Sequence, residues 1–115
     1  MNAEKGLIEI EGASFLEDNM SFYAPILEWV NEYINDPKDT TVNIELSYFN
    51  SSAAKLLLTI FKTIGVIRKK NFQLTVNWKY SEDDEDIRDS GLDFAKLSRI
   101  PFNMIEKDIP TTSKN

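Results

Sequence analysis

The 115-residue sequence contains no cysteine and no histidine. Ser-His and Cys-His nucleophile pairs, thiolate metal sites and imidazole proton shuttles are therefore absent. Without cysteine there are no disulfides, which fits a reducing compartment, and the cytoplasm is the expected location. No stretch approaches the roughly 20 apolar residues of a membrane span. Met1 to Glu11 carries Glu4, Glu9 and Glu11 and lacks the apolar run of a signal peptide. Basic residues are also outnumbered. Thirteen Lys and Arg face nineteen Asp and Glu, a net charge of −6 that argues against general affinity for nucleic acid or anionic membrane.

What remains is ordinary globular composition, 42% hydrophobic and 28% charged, at a length that suits one domain. The expected domain runs over residues 1–109, with residues 110–115 as a flexible C-terminal tail. Leu7-Ile8-Glu9-Ile10-Glu11 alternates and ends at Gly12, predicting a strand, or a hairpin with Ala13-Ser14-Phe15 as its second arm. Tyr23, Ile26, Leu27, Val30 and Ile34 recur at helical spacing, widened by Phe22 and Trp29, with Ser21 as the expected cap and Pro25 in the first turn. Asn35-Asp36-Pro37 ends that helix. Val42 to Tyr48 and Phe72 to Tyr80 alternate as strands with one buried face, which for Val42 to Tyr48 places Val42, Ile44, Leu46 and Tyr48 on the same side. Between the two strands, residues 51 to about 69 read as one strongly apolar helix through Ala54, Leu57, Leu58, Phe61 and Ile64. A strand, a helix of this length and a strand form a right-handed crossover with the strands parallel. Ser81 followed by Glu82, Asp83 and Asp84 predicts a capped helix with Ile87, Phe94 and Leu97 inward. Ile100-Pro101-Phe102-Asn103-Met104-Ile105 reads as a short closing segment, an edge strand because Pro101 cannot donate to a ladder. The expected fold is α/β: a four- to five-stranded mixed sheet with parallel core strands and helices mainly on one face.

The junction Tyr48-Phe49-Asn50-Ser51-Ser52-Ala53-Ala54-Lys55 is the most informative segment, because an alternating strand runs straight into an apolar helix. The N-cap must be near Asn50 or Ser51. The free backbone N–H groups and positive dipole end there favour an anion, so a phosphate on a serine at this turn is compatible with the fold. Phosphorylation adds about −1.5 to −2 charge, enough to repel an acidic or apolar partner docked over the helix end. Capping alone accounts equally for Asn50, Ser51 and Ser52.

Strand, Asn-Ser-Ser, helix, strand is similar to the anti-sigma-factor-antagonist (STAS) pattern. More closely, the chain resembles the SiaC family of bacterial regulatory phosphoproteins. The matching pieces are Gly12-Ala13-Ser14 with Glu17-Asp18, Phe22-Tyr23 with Pro25 and Trp29, Tyr48-Phe49-Asn50-Ser51-Ser52 with Lys55, Trp78-Lys79-Tyr80, Gly91 with Asp93-Phe94, and Pro101-Phe102. The resemblance implies a STAS-like, non-catalytic switch without a cofactor, phosphorylated at the residue after the motif Asn. That residue is Ser51, with Ser52 as the alternative. It implies a partner surface over Phe49, Asn50, Ser52, Lys55, Thr59 and Lys62. It also implies a GHKL-type serine/threonine kinase, a PP2C-type phosphatase, and a diguanylate cyclase that the unphosphorylated form binds and activates, in cyclic-di-GMP regulation of the biofilm type. Two positions depart from the family pattern. Asn50-Ser51-Ser52-Ala53 stands for the frequent Asn-Thr-Ser-Ser, and Leu16 stands where a Pro usually precedes the Glu of the first motif. A constitutive interaction domain, or an anti-sigma-factor antagonist with another output, is the alternative reading.

Two charge features stand beside this. Asn50 to Tyr80 carries six basic residues (Lys55, Lys62, Arg68, Lys69, Lys70, Lys79) and no acidic ones, leaving −12 on the remainder. Such asymmetry suits an acidic partner or a nucleotide's phosphates, or simply complements helix C-termini. The run Glu82-Asp83-Asp84-Glu85-Asp86 fails as a calcium loop, since Arg88 falls at the fifth ligand position when Asp84 is the first. Trp29, Trp78, Tyr80 and Phe94 read as core or edge aromatics. Phe49 is either an exposed partner anchor or tucked under the helix end.

Overall fold

Strands and helices alternate, with two consecutive helices between the second and third strands: β1 (Leu7–Ala13), α1 (Asn19–Tyr33), β2 (Thr40–Tyr48), α2 (Ser51–Ile64), α3 (Val66–Lys69), β3 (Leu74–Ser81), α4 (Glu85–Ser98) and β4 (Phe102–Lys107). A computed structural model describes residues 1–13 and 19–107; the proposed second hairpin arm at Ser14-Phe15, the Glu17-Asp18 motif and the C-terminal tail lie outside them. The sheet order is β1-β2-β3-β4, and each neighbouring pair is parallel. The expected mixed sheet is thus corrected to a parallel one among the described residues. Each strand reaches the next through a helix, and a crossover of that kind returns the chain in the same direction. Because the order advances one way and such crossovers are right-handed, every helix lands on the same face.

Alternation follows from that one-sided cover. Val42, Ile44, Leu46, Val76 and Trp78 face the helices and are buried, whereas Asn43, Glu45, Asn77 and Lys79 between them are half-exposed. On this open face Asn103 Nδ2 donates to Asn77 Oδ1 at 3.1 Å, and Asn77 Nδ2 donates to Asn43 Oδ1 at 2.8 Å, a ladder across three strands. Lys107 and Glu45 form an ion pair on the same face.

Helix α1 starts at Asn19, earlier than Ser21, so Pro25 lies inside it. Pro25 is exposed, and the buried stripe Tyr23, Ile26, Val30 and Tyr33 holds the helix together despite the missing N–H. The expected long second helix is divided at Gly65, a poor helix former, into α2 and α3. After α3 the chain turns in a Schellman motif: Asn71, at φ 69°, donates to the Arg68 carbonyl at 3.0 Å, and Phe72 N donates to the Ile67 carbonyl at 3.2 Å. Ser81 belongs to β3, and Asp84 caps α4 by accepting from Ile87 N at 3.0 Å. Leu97 is 58% exposed; the inner stripe of α4 is Ile87, Gly91 and Phe94.

Gly91 is required by contact. A Cβ there would lie 2.5 Å from Cδ1 and Nε1 of Trp78, which is fully buried and donates its indole N–H to the Ile87 carbonyl at 2.9 Å. Gly91→Ala is expected to destabilise the protein by about 1–3 kcal/mol through overpacking, even though Ala is the better helix former by about 1 kcal/mol. Urea unfolding of the two proteins measures the difference.

Candidate functional site

At the end of β2 the pairing with β1 slips: Gly12 pairs with Leu46 but Ala13 with Tyr48, leaving Ser47 as an extra residue. A bulge of this kind inverts the inward and outward phase that follows it. Tyr48, expected to face inward with Leu46, is instead 43% exposed. Phe49 takes the inward position, with its ring 5.7 Å from Phe94 and 6.3 Å, edge-on, from Trp78. Of the two sequence readings of Phe49, the structure favours core packing under the helix end. The exposed aromatic beside the junction is Tyr48, which sequence alternation alone assigned to the core.

Phe49 thereby fixes where α2 begins. Asn50 is the N-cap: its Oδ1 accepts from Ala53 N and its backbone carbonyl from Ala54 N, each at 2.9 Å. Ser51 and Ser52 follow as the first two helical residues, both exposed and with no side-chain hydrogen bond to another described residue. The cap and the candidate acceptors are therefore different residues, which separates the two roles that the sequence left merged. Lys55, Thr59 and Lys62 are also exposed, and the spacing from Ser51 and Ser52 puts all five on the solvent side of α2. The Thr59 hydroxyl donates back to the Lys55 carbonyl at 3.1 Å.

The charge around this helix end differs from that at its neighbour. The first turn of α2 contains no acidic residue, whereas α4 has Glu85 and Asp86 in its first turn and Asp84 as cap. The positive end of α4 is thus met by its own carboxylates, while that of α2 faces solvent beside Ser51, Ser52 and Lys55. Both helices start at the carboxyl edge of a parallel sheet, where ligands and modifying groups have access in folds of this type. The remaining basic residues lie away from this helix end. Lys79 lies on the open sheet face, lining a small polar cleft with Glu45, Ser81, Asp84 and Lys107. Lys70 donates to the Ile34 carbonyl at 2.6 Å, and Arg68 donates to the Arg99 carbonyl at 3.1 Å. Among the described residues no three acidic side chains are grouped to hold a metal ion, and no helix is long and apolar enough to cross a membrane.

The division of roles is measurable. Asn50→Ala is expected to cost about 1 kcal/mol of stability, and Ser51→Ala and Ser52→Ala less than about 0.5 kcal/mol each, in thermal or urea unfolding.

Known proteins match this chain along nearly its whole length. A relative in Pseudomonas aeruginosa (strain UCBPP-PA14), itself uncharacterised, is 19% identical over 100 residues, spanning 86% of this chain and 79% of its own. A chain in the crystal structure of the diguanylate cyclase SiaD in complex with its activator SiaC, from Pseudomonas aeruginosa, superposes with a TM-score of 0.83. The two are 18% identical, with 92% of this chain and 88% of that one covered. Apo-SiaC of the same organism gives 0.79 at 18% identity, covering 90% and 85%. These structures share the fold. The model of the SiaC family of regulatory phosphoproteins matches residues 1–107, and the chain belongs to that family.

Proposed function

We propose that this protein is a non-catalytic signalling switch in which phosphorylation of Ser51, with Ser52 as the alternative acceptor, controls the binding of a partner over the exposed side of α2. The observation that carries this reading is the separation of cap from hydroxyls: Asn50 holds the helix end, so Ser51 and Ser52 are free to be modified without unfolding the first turn. A phosphate there meets open backbone N–H groups and the helix dipole, which is stabilising by about 0.3–1 kcal/mol. It also changes the local field. About −1.5 to −2 charge arrives one turn from Lys55, reversing the sign of the surface that a partner contacts.

On this reading the partner surface comprises Ser52, Lys55, Thr59 and Lys62, with Asn50 and Phe49 setting the position of the helix end from beneath. Tyr48 adds an exposed aromatic at its edge. The partner is a diguanylate cyclase, bound and activated by the unphosphorylated form; the support is family membership together with the SiaC–SiaD complex of Pseudomonas aeruginosa. A GHKL-type serine/threonine kinase adds the phosphate and a PP2C-type phosphatase removes it.

Incubation with such a kinase and ATP, followed by mapping of the phosphate by mass spectrometry, tests the proposal. One phosphate in the peptide containing Ser51 and Ser52, abolished or displaced to Ser52 by Ser51→Ala, is the expected result. A chain left unmodified at both residues would sink it.

A further inference from the structure

A second charged site lies at the other end of α2, about 20 Å from Ser51 along a 14-residue helix. There the turn between α2 and α3 faces the C-terminus of α4 across a cleft of about 690 Å³, lined by Lys62, Gly65, Arg68, Lys69, Leu97, Ser98 and Arg99. Four of these residues are cations and none is a carboxylate. They come from three separate segments: Lys62 from α2, Arg68 and Lys69 from α3, and Arg99 from the end of α4. In a protein of net charge −6 such a convergence is a local reversal of sign.

Their hydrogen bonding leaves them available. Arg68 uses one guanidinium nitrogen on the Arg99 carbonyl at 3.1 Å, which ties the α3 side of the cleft to the α4 side. Lys62, Lys69 and the Arg99 side chain make no hydrogen bond or ion pair with another described residue, and all four cations are exposed. Helix-dipole complementarity explains one or two basic residues at each C-terminus, and Lys70, directed to the Ile34 carbonyl, is an example. Arg99, at the C-cap of α4, adopts φ 61°, a left-handed conformation usual for Gly and unfavourable for other L residues.

We infer that this cleft binds a small phosphate-bearing anion, of the class with two or more contiguous phosphates. Two guanidinium forks and two ammonium groups match several phosphate oxygens at once, with the forks able to engage them in pairs. An acidic protein segment fits less well, because a protein interface needs an apolar centre and the only large apolar side chain lining the cleft is Leu97. The cleft lies at the far end of α2 from Ser51 and shares only Lys62 with the proposed partner surface.

Amide chemical-shift titration of the full ¹⁵N-labelled chain with inorganic pyrophosphate, at physiological salt, tests the assignment. Saturable shifts confined to residues 62–70 and 97–100 are expected, with affinity at least about ten-fold above that for inorganic phosphate. Lys62→Gln combined with Arg99→Asn, the latter tolerant of the left-handed backbone, should weaken binding at least about ten-fold, whereas Lys79→Gln should leave it unchanged. Arg68→Gln gives a second route if the double variant does not fold. Shifts that never saturate, that spread equally to Lys55 and Lys79, or that survive the cleft substitutions would overturn the proposal. So would an octaglutamate peptide binding the cleft more tightly than pyrophosphate, which would assign the surface to a protein partner.

Discussion

The Trp78 indole occupies the volume that a side chain at residue 91 would otherwise claim, and most of the packing between sheet and helices is arranged around it. Its ring is fully buried and its N–H is satisfied by the Ile87 carbonyl, so α4 is held to β3 by both shape and a directional bond. Phe94 at 5.6 Å, Phe102 at 6.0 Å, Phe61 at 6.3 Å and Phe49 at 6.3 Å surround it. These rings come from α4, β4, α2 and the β2–α2 junction. One aromatic cluster therefore joins the edge strand, two helices and the segment leading to the proposed modification site. Phe49 is the link that matters for function, since it anchors the chain one residue before the cap of α2.

The sheet order supplies the second constraint. Four parallel strands advancing in one direction put the crossover helices α1, α2 and α4 on one face with their N-termini at one edge. At that edge α4 is wrapped in its own carboxylates while α2 presents hydroxyls and a lysine. The opposite edge collects Lys62, Arg68, Lys69 and Arg99. The charge asymmetry visible along the chain thus becomes a spatial one, directed along α2, with the proposed phosphorylation position at one end and a cationic cleft at the other.

Much of this was legible before any coordinates. Period-two and helical spacing place β2, β3, α1, α2 and α4 correctly to within a few residues, because one-sided burial writes its pattern directly into the apolar positions. The misread positions depend on contacts that spacing does not encode. Tyr48 and Phe49 exchanged faces because a bulge opposite Gly12 shifts the phase, a property of the pairing of β1 with β2 and not of either strand alone. Leu97 turned outward because Gly91, not an apolar residue, faces Trp78 and rotates the inner stripe of α4. Alternation does not encode strand direction, so the mixed sheet expected from the sequence is corrected by α4, whose crossover from β3 makes β4 parallel. Asn50-Ser51-Ser52 marks the candidate site in the sequence, but the separation of the cap from the candidate acceptors rests on the Asn50 to Ala53 hydrogen bond. The basic cleft was invisible as a site, since Arg99 lies 37 residues from Lys62 in sequence.

The central claim is that charge at the start of α2 governs partner binding without altering the fold. Its most direct measurement compares two homogeneous preparations, one unmodified and one carrying phosphoserine at residue 51, for affinity to the cognate diguanylate cyclase and for the effect on its turnover. With matching unfolding curves, the unmodified protein should bind and raise turnover, and the phosphorylated one should bind at least about ten-fold more weakly, as like-charge or desolvation penalties at an interface require. Equal affinity and equal activation by the two preparations would contradict the account.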